Sequence, residues 1–375
     1  MASIPESLSI NEILPSEILG LVFEEHALLE WRAPATDGQV CRFWRQTVLH
    51  HPRAWSHIEI HNKLQPDIHS LRLWLSRSGS TPFSFSDHTD RSYDGHISTL
   101  YDVLSEYHDR IEFLRTLRVP YSFFDGRAFP ALQVLDVEEL FWHNPSGAWG
   151  SMPKLRTLRI GSTDLFFAPL DDLPPLTVLV VYETPCLLLV QKSHNVLTTL
   201  MLDDVLLLKD SSSTITFPSL TYLSLSNVPN LKPHMVTPAL VTYHEGGCSA
   251  SESFPMSLPS LVEYGLLAPC ASLIDPAELH HFFPHISRLS IRTSAFILPS
   301  IVESLAKKPD FLPNLQIIAV APNLKHSQVP QRDIRDMMDY VFARNLASGT
   351  HVTLCIGEQA SIQVPLFFGA VRYHL

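Results

Sequence analysis

Nineteen histidines invite a search for metal or acid–base chemistry first. His57, Glu59 and His61 alternate, so on a strand they would share one face as two imidazoles and a carboxylate, donors that suit a divalent transition ion. The expectation for this segment is nevertheless a solvated strand face with no metal. His50–His51 and His280–His281 are adjacent pairs, which cannot share a helix face. His244-Glu245-Gly246-Gly247-Cys248 starts like a zinc-protease helix and lacks the second histidine. No glycine-rich phosphate loop, nucleophile elbow or kinase signature occurs, and Asp171–Asp172 and Asp203–Asp204 read as turn residues beside strands. The five cysteines (Cys41, Cys186, Cys248, Cys270, Cys355) are odd in number, far apart and without a CxxC, which predicts reduced thiols. These residues predict neither an enzyme nor a cofactor.

Binding remains, and composition narrows the partner. The 375 residues carry 27 Lys plus Arg against 38 Asp plus Glu, a net charge of −11. No basic run could neutralise a row of phosphates, so protein partners are expected rather than nucleic acid. Met1 to Leu14 lacks a basic start and a sustained apolar stretch, and runs such as Val178–Tyr182 and Cys186–Val190 are far too short to span a bilayer. No membrane association is expected, and the compartment is predicted to be cytoplasm, nucleus or both. With 45% hydrophobic and 17% charged residues the chain can bury a large core, while 29 prolines against 14 glycines predict segments punctuated by proline.

That punctuation is periodic. Phe129-Pro-Ala-Leu-Gln-Val-Leu-Asp-Val137, Met152-Pro-Lys-Leu-Arg-Thr-Leu-Arg-Ile160, Phe217-Pro-Ser-Leu-Thr-Tyr-Leu-Ser-Leu225 and Phe283-Pro-His-Ile-Ser-Arg-Leu-Ser-Ile291 share one pattern. The first Leu-type residue of each copy falls at Leu114, Leu132, Leu155, Leu176, Leu197, Leu220, Leu240, Leu261, Ile286 and Leu315, in steps of 18 to 29 residues. The next two apolar positions alternate with period two and so face one side of a short strand, and proline suits the strand entrance because it has no N–H to give. Stacked in parallel, such strands bury an apolar layer that one unit cannot bury alone. The array resembles leucine-rich repeats over roughly residues 110 to 322. It departs at the position eight residues past the mark, where the family places Asn or Cys and only Cys248 and Asn323 match. The copy at Leu240 carries Tyr243 and Glu245 where apolar residues are expected. Helical spacing at Ile68, Leu71, Trp74 and Leu75, and at Ile97, Leu100, Tyr101, Leu104 and His108, predicts two leading repeats. Ile334, Met337, Met338, Val341 and Phe342, followed by a strand over His351–Ile356, predict a closing cap.

The amino-terminal segment does not repeat. Pro15 suits a first helical turn, Glu17 favours the positive helix end, and Leu14, Ile18, Leu19, Val22 and Phe23 make one stripe. Val40-Cys41-Arg42-Phe43-Trp44-Arg45 and Pro52-Arg53-Ala54-Trp55 follow. The three blocks, in this order and ahead of a leucine-rich array, resemble the F-box, with the continuation Leu71–Phe85 similar to fungal F-box proteins. One departure is the polar Ala33–Gly38 stretch, which predicts a turn where the family has an apolar helix.

The expected fold is α/β: a small helical F-box (8–62), atypical leading repeats (63–110), a leucine-rich-repeat solenoid with a curved parallel sheet and a helical or irregular back (111–330), and a capping segment (331–375). The resemblance implies a substrate-recognition subunit of an SCF-type ubiquitin ligase that binds a Skp-type adaptor, through it a cullin scaffold, and an unknown protein substrate. Its adaptor anchors would be Leu14, Pro15, Ile18, Leu19, Phe23, Val40 and Cys41. In a solenoid the side chains between the core-facing ones form the binding surface, which nominates Arg118, Asp136, Glu138, Arg159, Tyr182, Asp203, Tyr222, His244, Glu263, Arg288 and Arg292. Thr116, paired with Arg118, belongs to the same surface. The alternative is a leucine-rich interaction scaffold whose F-box no longer engages the ligase.

Overall fold

The computed structural model describes residues 14–61, 68–88, 94–140, 149–161, 172–183, 187–205, 214–228, 231–246, 258–267, 283–293, 312–322, 335, 338–339, 341–342, 345 and 352–356. They fall into two compact units that divide between Leu155 and Arg156.

The first unit opens with three helices: α1 (Ser16–Leu29), α2 (Ala33–Val40) and α3 (Arg42–Leu49). Pro15 accepts the first helical bond, from the Leu19 N–H at 3.0 Å, and Leu19, Phe23 and Ala27, spaced by four, turn inward. The turn expected over residues 33–38 is instead the start of α2. Pro34 sits in its first turn, where no N–H is missed, and buried Asp37 is held by His26 Nδ1 at 3.1 Å. The Cys41 sulfur caps α3 by accepting the Trp44 N–H at 3.4 Å. Trp55, on the short 3₁₀ turn Pro52–Trp55, is buried and donates to the Val48 carbonyl at 2.8 Å. Gly20 lets His51 lie on α1, since a Cβ there would come within 2.7 Å of the ring.

Four parallel strands follow, β1 (His57–Ile60), β2 (Phe83–Asp87), β3 (Ile111–Val119) and β4 (Val134–Leu140), with α4 (Ile68–Arg77) and α5 (Asp94–Ser105) returning between the first three. Leu71, Trp74, Leu75, Leu100, Tyr101 and Leu104 are buried as the helical spacing predicts. The ladder corrects the register of the first repeat. Leu114 pairs with Leu135, so the mark equivalent to Leu132 is Ile111, and the first step is 21 residues rather than 18.

The second unit stacks β5 (Thr157–Ile160), β6 (Val178–Tyr182), β7 (Thr199–Asp203), β9 (Tyr222–Ser226), β11 (Thr242–Gly246), β12 (Glu263–Leu267), β13 (Arg288–Thr293), β14 (Ile317–Pro322) and β15 (Thr353–Ile356) in chain order, all parallel. β8 (Ile215–Thr216) and β10 (Met235–Val236) form a separate pair, and α6 (Leu187–Ser193) joins β6 to β7. Proline acts one step before the strand. Thr237-Pro-Ala-Leu240, Leu258-Pro-Ser-Leu261 and Leu312-Pro-Asn-Leu315 are β-turns closed by the Leu N–H on the first carbonyl at 3.2, 3.2 and 3.0 Å, with proline at the position that wants its fixed φ. The residue after each Leu then begins the ladder: Thr198 donates to Thr177, Thr221 to Thr198 and Val241 to Thr221, each at 2.9 Å. At the strand exits Glu183, Asp204 and Asn227 all adopt φ near 53°, and the next residues, Val205 and Val228, are buried where the family pattern has Asn or Cys. In the irregular copy Tyr243 is fully buried, and Glu245 is paired with buried Lys232 and accepts the Tyr264 hydroxyl at 3.1 Å.

In the closing segment Asn345 accepts the Val352 N–H at 2.7 Å and donates to its carbonyl at 3.0 Å, just before β15. Val341 is buried, but Met338 and Phe342, expected to pack inward, are exposed; Ile334 and Met337 lie outside the described residues.

Candidate functional site

Two surfaces carry the predicted site residues. On α1 the stripe divides. Leu19 (2% exposed) and Phe23 (1%) pack inside the helical group, Phe23 edge-to-face with Trp44 at 5.2 Å, which corrects their assignment as outward anchors. Ile18 (46%) and Val22 (49%), with Leu21 and Leu29, form the outward row, and Val40 is exposed at the end of α2. Leu14 and Cys41 are half-buried and Pro15 is exposed. An outward row at i, i+3, i+4 on a helix whose opposite side already packs its own domain leaves apolar area for another chain.

The second surface is the strand face opposite the core. In the second unit its rows follow the register: Thr199, Tyr222, Thr242, Glu263 and Arg288 in one, Met201, Ser224, His244, Gly265 and Ser290 in the next. The Tyr222 hydroxyl lies 2.9 Å from His244 Nδ1, His244 Nε2 lies 3.3 Å from Glu263 Oε1, and Ser290 donates to the same oxygen at 2.6 Å. Arg288 Nε approaches the other Glu263 oxygen at 3.4 Å. Tyr222 and His244 are buried, His244 only 1% exposed, which corrects the expectation that both stand open to solvent. Gly265 explains the burial, because a Cβ there would fall 2.1 Å from His244 Cδ2. The imidazole thus lies across the neighbouring strand. Burial pushes the Glu263 carboxyl up, but the hydrogen bonds from His244 and Ser290 and the charges of His244 and Arg288 outweigh it and hold it below its ordinary value. The chain of groups can pass a proton or present a fixed row of donors and acceptors. Toward β5, Arg159 donates to the Tyr182 hydroxyl at 2.9 Å with its guanidinium over the ring, and Asp203 is half-buried. The Arg292 side chain lies outside the described residues.

In the first unit Arg115 and Asp136 pair at 3.3 Å on this face and Glu138 is exposed there. Thr116 and Arg118, assigned to it from the slipped register, stand instead in the core-side row that follows Leu114, opposite buried Val137 and Glu139. Thr116 is buried and accepts the Tyr101 hydroxyl at 2.7 Å, and Arg118 pairs with buried Glu139 at 2.7 Å. At the outer edge, Glu59, His61 and His88 bring ligand-type atoms within 4.8 Å of one another, a cluster of a kind that can hold a metal ion. Hydrogen bonding from His88 and the charges of His61, His88 and His57 outweigh burial and hold the Glu59 carboxyl down to about 2. Burial lowers the His57 pKa, against the pull of Glu59. His88 and Ser290 were missed in the sequence. Both would follow from aligning each parallel strand with its neighbour instead of reading strands singly.

Among the described residues no helix is long and apolar enough to cross a membrane. No protein-family model matches the chain, and no curated protein matches it. Among solved structures, the crystal structure of a TLR13–ssRNA13 complex is similar at 13% identity and a TM-score of 0.31, covering 60% of this chain and 33% of that one. This chain therefore spans about a third of the length of the structure it resembles.

Proposed function

We propose that the chain is the substrate-recognition subunit of an SCF-type ubiquitin ligase, working in cytoplasm or nucleus, with the helical group docking on a Skp-type adaptor and thereby on a cullin, and the strand face holding a target protein. Such a subunit performs no chemistry. It holds the target beside a ubiquitin-charged enzyme and so raises the effective concentration of the reacting groups. The observation that carries this reading is the outward row Ile18, Leu21, Val22 and Leu29 on a helix that already buries Leu19, Phe23 and Ala27. The position of that row agrees with the three-block F-box pattern, and anchors of this size contribute about 1.5–3 kcal/mol each when fully buried.

Co-purification of the full chain with a Skp-type adaptor tests the proposal. The wild type is expected to elute as a one-to-one complex, and Ile18→Asp with Val22→Asp to abolish it while circular dichroism and Tm stay unchanged. A folded wild-type chain that never meets the adaptor, or a complex that survives both substitutions, overturns the ligase reading. The first of these outcomes leaves the scaffold reading in its place.

A further inference from the structure

We propose that Glu59, His61 and His88 form a binding site for a zinc-class divalent cation at the outer end of β1 and β2. Glu59 stands on β1 and alternates with buried Ile58 and Ile60, and His61 is the first residue past the strand's end. The parallel register sets Ile60 opposite Asp87, and the His88 N–H donates to the Ile60 carbonyl at 2.9 Å, which brings His88 beside His61. The core-facing alternates, Ile58 and Phe85, fix the face on which Glu59 stands, because a slip of one residue would expose both.

Both imidazoles aim at one atom. Glu59 Oε1 lies 2.9 Å from His88 Nε2 and 3.2 Å from His61 Nε2, and the two rings stack with centroids 4.9 Å apart and planes 11° from parallel. A tetrahedral zinc with bonds of about 2.0–2.1 Å has ligand–ligand edges of about 3.3–3.4 Å. Two edges are thus already close to that size, and all three atoms lie within 4.8 Å, so a small tilt of the solvent-facing His61 ring closes the third. Two imidazoles with one carboxylate select zinc, cobalt or nickel over calcium and magnesium, which want oxygen alone, and over copper(I), which wants sulfur. A second layer is in place. His57 meets the Ser84 hydroxyl at 2.7 Å through Nδ1, and its Nε2 stands 4.0 Å from Glu59 Oε2, close enough to act on the carboxylate through charge when protonated. With three protein ligands and His61 60% exposed, the fourth position is open to water or to a donor from a partner. The site does not depend on the ligase reading.

The test is titration of the chelator-stripped full chain with zinc by calorimetry, and with cobalt(II) by visible absorption. One equivalent is expected at micromolar affinity or tighter, with an intense tetrahedral cobalt band, no competition from millimolar magnesium and a rise in Tm. His61→Ala and His88→Ala should each weaken zinc about tenfold or more and remove the Tm rise, as should Glu59→Gln. His50→Ala, on another element, should change nothing. His61 is largely exposed, so its variant remains folded even where Glu59→Gln does not. Absence of saturable binding, or unchanged affinity in the His61→Ala, His88→Ala double variant, overturns the proposal, the latter by assigning the zinc to other histidines or thiols.

Discussion

Glu263 is the hub of the second unit's strand face, because one of its oxygens serves both His244 and Ser290 while the other faces Arg288. Its folded pKa is depressed, so the stability it contributes is present above the unfolded carboxylate value and is lost as pH falls through the folded one. The loss belongs to acid, below an ordinary Glu pKa of about 4.3. Urea denaturation of wild type and Glu263→Gln between about pH 6 and pH 3 measures it. The wild type should lose stability across that window by more than the variant does. Parallel curves would remove Glu263 as the group responsible. None of this was legible in the residue list alone. The alternation that nominated Tyr222, His244 and Glu263 was correct for the face, but burial depends on Gly265, a residue with no side chain to attract notice.

The same contrast holds for elements. Repeat strands were readable because Leu-x-x-Leu-x-Val carries both a period and a face, and nine of the ten marks kept their register. The first slipped because Thr116 stands where the third apolar residue belongs, its hydroxyl met by buried Tyr101, so Leu114, Leu117 and Val119 imitated the pattern three residues late. Glu245 broke the pattern at β11 for a related reason: its charge is met by Lys232, which local spacing cannot reveal. Helix α2 was hidden by residues that favour turns, although Pro34 at its start and the His26–Asp37 pair stabilise it. For α1 the stripe was evident but its facing was not, since the small Ala27 rather than another large residue extends the inner row. Chemical denaturation separates the two sides. Leu19→Ala should cost about 2–5 kcal/mol through the cavity it leaves, whereas Ile18→Ala should stay within about 0.5 kcal/mol. Equal losses would mean that α1 packs both sides within its own chain.

At the scale of the whole chain, stability resides in neighbour-to-neighbour contacts. In the main sheet of the second unit each strand from β6 to β14 bonds to a strand on either side, and every pairing among the described residues is parallel, so none of these strands is fixed by a β-hairpin. Leu223 is fully buried, and its register partners are Leu200 on β7 and Tyr243 on β11. Leu223→Ala therefore removes packing shared by three consecutive repeats, at about 2–5 kcal/mol. Because coupling runs only through adjacent units, the loss should be graded along the sequence rather than uniform. Native-state hydrogen exchange of the variant should show the largest fall in protection in β7, β9 and β11, a smaller one in β6 and β12, and none in α1–α3. A uniform fall over every element would mean that the chain opens in one cooperative step rather than repeat by repeat. A graded fall means that each repeat is held mainly by its immediate neighbours.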